Sequence, residues 1–121
     1  MQIDVKSDGE DRYVISCPNE MEWRARINLV QALQDATDGL SVRGVILDLE
    51  GVQYMNSAAL GAIFALRNFL KQGSIGIVIS RPSATVTRLL STINMTQLMP
   101  VTDTLDDARR RLLEASAGGC A

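Results

Sequence analysis

Residues 44–61 read G-V-I-L-D-L-E-G-V-Q-Y-M-N-S-A-A-L-G. Val45, Ile46, Leu47, Asp48 and Leu49 form a short, nearly continuous apolar run, as in a strand buried on both faces of a parallel sheet. Asn56 and Ser57 then offer helix N-cap chemistry. From Ala58 onward, Ala59, Leu60, Ala62, Ile63 and Phe64 set a helical pattern. The stretch therefore predicts a buried strand that delivers a serine to the positive end of a helix.

Upstream, Ile3 and Val5 alternate with polar residues, and Tyr13, Val14 and Ile15 make a second strand. Ser7-Asp8-Gly9-Glu10-Asp11 between them has hairpin-turn chemistry. Pro18-Asn19 interrupts the second strand. Trp23, Ile27, Val30 and Leu33 fall at helical spacing, which predicts a first helix over 20–37 closed by Asp38-Gly39. A tryptophan on such an apolar stripe reads as core before it reads as a ligand platform.

Downstream, the second helix is expected over 57–71, its stripe Ala59, Ile63, Leu66 and Leu70, with Gln72-Gly73 ending it. Ile75, Ile77, Val78 and Ile79 form the next buried strand. Gly76 inside it points to close approach of another backbone or to a bulge. Ser80-Arg81-Pro82 is expected to open a helix with Pro82 in its first turn, and Val86, Leu89, Leu90 and Ile93 face inward. Leu98, Met99 and Val101 flank Pro100 in a short edge strand. Thr104 caps a last helix whose acids, Asp106 and Asp107, precede Arg109, Arg110 and Arg111, matching the helix dipole. Residues 115–121 read as a flexible tail, leaving one domain over 1–114. Strands alternating with helices make this an α/β chain: a mixed, mostly parallel sheet of about five strands with about four helices packed on it.

Composition narrows the function. The 121 residues are 46% apolar with a net charge of −2, which argues against general nucleic-acid binding. Apolar runs stay short of the ~20 residues that span a bilayer, so no membrane insertion is expected. No signal-peptide pattern is present either, so the expected location is cytoplasmic. Histidine is absent, which removes Ser-His-Asp and Cys-His arrangements. Cys17 and Cys120 have no metal-ligand spacing. No phosphate-cradling glycine loop occurs, so no cofactor and no metal are expected. Asp48 and Glu50 are expected to point to opposite sides if both lie in a strand, and Asp48, closing a buried strand, to be solvated at the sheet edge, which leaves no obvious catalytic pair. Ser57 has two readings: an N-cap or first-turn serine worth about 1 kcal/mol to its helix, or a phosphoacceptor at a helix end that tolerates anions.

Residues 45–61 resemble the signature of STAS domains, particularly the bacterial anti-sigma-factor antagonists. That pattern is an apolar strand ending in Asp, then roughly F-[ILM]-D-S-[ST]-G-[LI]-G. The similarity extends to the hairpin, the I-G-I-V-I strand (75–79), the S-A-T-V-T-R-L-L helix (83–90) and the closing helix. By position, Asp48 matches the strand aspartate, Ser57 the serine that partner kinases phosphorylate in many members, and Leu60 and Gly61 the helix start. Asn56 replaces the usual Asp, Ala58 the frequent Ser or Thr, and Ala59 the usual Gly. Residues 17–19 also lack the usual G-[ED]-[LIV]-D character. The resemblance implies a protein-binding module in transcription regulation, not an enzyme. It would sequester an anti-sigma factor with serine kinase activity, through Asp48, Asn56, Ser57, Ala58, Leu60 and Gly61, and be switched off by phosphorylation at Ser57. The departure at Asn56 points to an alternative: a non-switching STAS subunit of a lipid-transport ATPase or signalling scaffold.

Overall fold

The computed structural model describes residues 4–9, 11–17, 29–37, 42–53, 55 and 57–118. Along the chain run β1 (Asp4–Ser7), β2 (Arg12–Ser16), α1 (Leu29–Ala36), β3 (Gly44–Asp48), α2 (Ser57–Gln72), β4 (Gly76–Ser80), α3 (Ala84–Thr92), a 3-10 turn (Met95–Gln97), β5 (Val101–Thr102) and α4 (Leu105–Gly118). The five strands lie side by side in sequence order. Among the described residues only the β1–β2 hairpin pairs antiparallel; β2, β3, β4 and β5 are parallel neighbours. This is the mixed, mostly parallel sheet expected from the alternation of strands and helices. The expected positions of Trp23 and Ile27, and the start of the first helix, lie outside the described residues.

Two-residue periodicity splits the sheet into two apolar faces. Val45, Leu47, Ile77 and Ile79 join Leu29 and Leu33 of α1, Ala59, Ile63, Leu66 and Leu70 of α2, and Val86 and Leu90 of α3 in the larger core. Ile46 and Val78 face the other way, onto Ala108 and Leu112 of α4. A strand covered on both sides has no polar alternation, so β3 reads as one apolar run.

Several local expectations change: Ile93, expected to face inward, is 45% exposed, and β5 holds only Val101 and Thr102, with Leu98 and Met99 preceding it. Ser80 closes β4 instead of opening a helix, and the N-cap of α3 is Ser83, whose side chain accepts from the Val86 N–H at 3.2 Å. Pro82 therefore lies in the connection. The end of α2 is a six-to-one turn in which the Ile75 N–H donates to the Leu70 carbonyl and the Ser74 N–H to that of Lys71. Ser74, not Gly73, takes the left-handed position, at φ 58°. The last helix, α4, runs to Gly118; Ala115 and Ala117 favour helix. Finally, what crowds the Cα of Gly76 above the sheet is a side chain, not another backbone. A Cβ there would stand 3.1 Å from Leu112 Cδ2, and one on its cross-strand partner Gly44 would stand 3.0 Å from Leu112 Cδ1.

The two glycines form a shallow seat for Leu112, and this fixes α4 against the sheet. Gly44→Val should cost about 1–3 kcal/mol through overpacking. Urea denaturation checks this. Adding Leu112→Ala should restore part of the loss, because the two sites share one contact.

Candidate partner-binding edge

Because β2, β3, β4 and β5 are parallel, the connections that leave them all emerge at one edge, the carboxyl edge of the sheet. In open α/β sheets ligands bind outside the carboxyl ends of the strands. Ser16, Asp48, Ser80 and Thr102 are in register across it. All four face the side covered by α4, continuing the parity of Ile46 and Val78.

Asp48 is 7% exposed, not solvated as the sequence suggested. Its carboxylate accepts a two-pronged bond from Arg81, with Nε to Oδ1 at 3.2 Å and Nη2 to Oδ2 at 2.6 Å. Oδ1 also accepts from the Glu50 N–H at 3.1 Å. Arg81 Nη1 donates to Glu50 Oε2 at 2.8 Å. Asp48 and Glu50 thus converge on one guanidinium instead of diverging; residues two apart in an extended chain share a side. Hydrogen bonding to Asp48 raises the Arg81 pKa above its usual value, so the cation is permanent.

Beside them Cys17 is buried, and its N–H donates to the Asp48 carbonyl at 3.2 Å. Burial, and secondarily the Asp48 charge, push the Cys17 thiol up to about 12. It stays neutral at physiological pH and is a poor nucleophile. The Ser80 hydroxyl is fully buried with no hydrogen-bond partner among the described residues, and Thr102 Oγ1 donates back to the Ile79 carbonyl at 3.1 Å. Among the described residues no cluster of acids and cysteines could hold a metal ion. No helix among them is long and apolar enough to cross a membrane.

Ser57 is exposed as the first residue of α2. Gly61 and Phe64 follow one and two turns later on the same exposed face; Phe64 is 44% exposed. A Cβ on Gly61 would meet nothing within 4 Å. Leu60 is half-buried and packs on the larger core. Ala58 lies in the first turn of α2, while Asn56 lies outside the described residues. Sequence reasoning missed Arg81. A signal was available: a residue before proline is biased away from helix, which marks Arg81 as part of a connection. The arginine run on α4 is largely occupied, with Arg109 bonded to Asp8 at 2.8 Å and to Asp106, and Arg110 near Asp107.

Solved structures share this fold. The anti-sigma factor antagonist SpoIIAA, in its unphosphorylated form, superposes with a TM-score of 0.77 at 18% identity, covering 93% of this chain and 97% of that one. A STAS domain protein from Planctomyces limnophilus, described as an anti-sigma-factor antagonist, gives 0.70 at 20% identity, covering 92% and 97%. A sulfate transporter family protein from Wolinella succinogenes gives 0.63 at 16% identity, covering 86% and 87%. Such identities speak for the fold alone. The STAS domain family model matches residues 3–108, a span that runs from the hairpin through the strand–serine–helix motif into α4, so the chain belongs to the STAS domain family.

Proposed function

We propose that this chain is a cytoplasmic anti-sigma-factor antagonist: a binding module that sequesters an anti-sigma factor with serine kinase activity and releases it when Ser57 is phosphorylated. The observation that carries the reading is the exposed placement of Ser57 at the start of α2. Gly61 and Phe64 extend that helix face into an uncharged surface on which a protein partner can pack. The likeness to SpoIIAA, an anti-sigma factor antagonist, supports the same role. Pairwise calorimetry against the kinase-type anti-sigma factors of the source genome, with phosphosite mapping after incubation with ATP, tests it. Binding to none of them defeats the reading.

A second reading is favoured by Asn56, which replaces the usual acid beside Ser57, and by the likeness to a transporter-family STAS protein. In it the chain is a non-switching subunit of a lipid-transport ATPase or a signalling scaffold. It predicts partner binding that ATP does not alter.

Neither reading needs turnover. Ser57 has no histidine to activate it, and Asp48 is committed to Arg81. Assays against ester, phosphoester and nucleotide substrates should find no activity. Turnover that Ser57→Ala abolishes and Leu113→Ala leaves intact would overturn this.

A further inference from the structure

Arg81 has a left-handed backbone, at φ 56°, a conformation that glycine or asparagine adopts more readily than other residues. An arginine here indicates that its side chain is used. The left-handed turn does two things together. The Arg81 N–H still donates to the Thr102 carbonyl at 2.9 Å, extending the β4–β5 ladder, while the side chain folds back across the end of β3.

Three consecutive residues leaving β3 are thereby tied to the end of β4. Asp48 takes the two-pronged bond, the Leu49 N–H donates to the Ser80 carbonyl at 3.0 Å, and Glu50 takes the remaining Arg81 nitrogen. The Val52 N–H then donates to the Leu49 carbonyl at 3.0 Å, and Val52 and Met55 are buried in the larger core. The connection between β3 and α2 is thus held by charge at its start and by apolar anchors further on, immediately before Ser57.

We propose that Arg81 is a positioning residue for partner binding: its guanidinium fixes the first leg of the β3–α2 connection and so sets how the edge bearing Ser57 is presented. The proposal rests on the partner-binding reading above, but its first test uses the free protein. A forked, planar donor is needed to hold both Asp48 oxygens while reaching Glu50. Lysine, a point charge, can satisfy only part of this.

The test is residue-resolved amide hydrogen exchange on wild type, Arg81→Gly and Arg81→Lys. Glycine accepts the left-handed geometry, so the variant folds while losing the clamp. Exchange at Leu49, Glu50 and Val52 and in the first turn of α2 should accelerate by about tenfold or more in Arg81→Gly, with Ile46 and Val78 unchanged. Arg81→Lys should recover part of the protection. Uniform acceleration through the sheet would mean a general stability role and would overturn the proposal, as would no acceleration at all. A second arm measures binding of the anti-sigma factor identified by calorimetry. Folded Arg81→Gly should bind about tenfold more weakly, and adding Asp48→Asn should weaken it no further, because the two changes remove one interaction. Unchanged affinity alongside loosened exchange would also overturn it. Absence of any binding partner would instead defeat the functional reading and leave the exchange result standing.

Discussion

Leu47→Ala should lower the free energy of unfolding by about 2–5 kcal/mol, a large share of the 5–15 kcal/mol that ordinarily holds a domain together, to order of magnitude. Leu47 is fully buried at the middle of the sheet. Its cross-strand partners are Ile15 on β2 and Ile79 on β4, both also fully buried. The side chain points into the core that joins the sheet to α1, α2 and α3. Removing it takes apolar atoms out of contact on every side and leaves a cavity that a strand paired on both edges cannot collapse to fill. Urea denaturation followed by circular dichroism gives the number. Leu113→Ala is the control, because Leu113 is 58% exposed on α4 and its loss should change stability by no more than about 0.5 kcal/mol. A loss below about 1 kcal/mol for Leu47→Ala would contradict the packing described here.

The same residue shows why the fold was legible. A strand with both faces covered must be apolar at consecutive positions, so Val45, Ile46 and Leu47 announce a central parallel strand without any tertiary knowledge. The buried positions of α2, Ala59, Ile63, Leu66 and Leu70, carry the helical period equally openly. Some misread positions are ones where one residue type serves two geometries. Gly73 is a good helix terminator, yet the left-handed residue is Ser74; the final turn is set by which carbonyls need donors, a matter of hydrogen bonding beyond composition. Pro82 suits a first helical turn and equally suits a connection, and the Ser83 hydroxyl decided between them by capping α3. At the candidate site, Ser57 was visible because strand, connection and helix are contiguous in sequence. The Asp48–Arg81 pair spans 33 residues and depends on β3 and β4 being neighbours, so no local pattern could reveal it. Likewise, the seat for Leu112 needs Gly44 and Gly76 in register.

Phosphorylation of Ser57 should weaken partner binding by tens to thousands of fold. In the free protein the modification is tolerable. Ser57 is exposed at the first position of α2, whose first turn contains no acid to repel the phosphate. The helix dipole favours an anion there by about 0.3–1 kcal/mol. Asp48 adds little repulsion, because its carboxylate is held by Arg81. In a complex the balance reverses. A partner that covers Ser57 must strip water from a group carrying about −1.5 to −2 charges. Arg81, a cation at this edge, is already committed to Asp48 and Glu50. An unpaired charge buried in an interface costs about 2–5 kcal/mol, which exceeds the dipole gain and corresponds to the stated loss of affinity. Ser57→Asp should imitate the effect weakly, having less charge and fewer acceptor oxygens. Ser57→Ala should bind constitutively, because it removes the acceptor and leaves a neutral surface. The measurement is the affinity of the anti-sigma factor for both variants and for wild type before and after incubation with ATP, with mass-spectrometric mapping of any phosphate. Equal affinity for the two variants, with no phosphate on Ser57, would assign the chain to the non-switching class that Asn56 suggests.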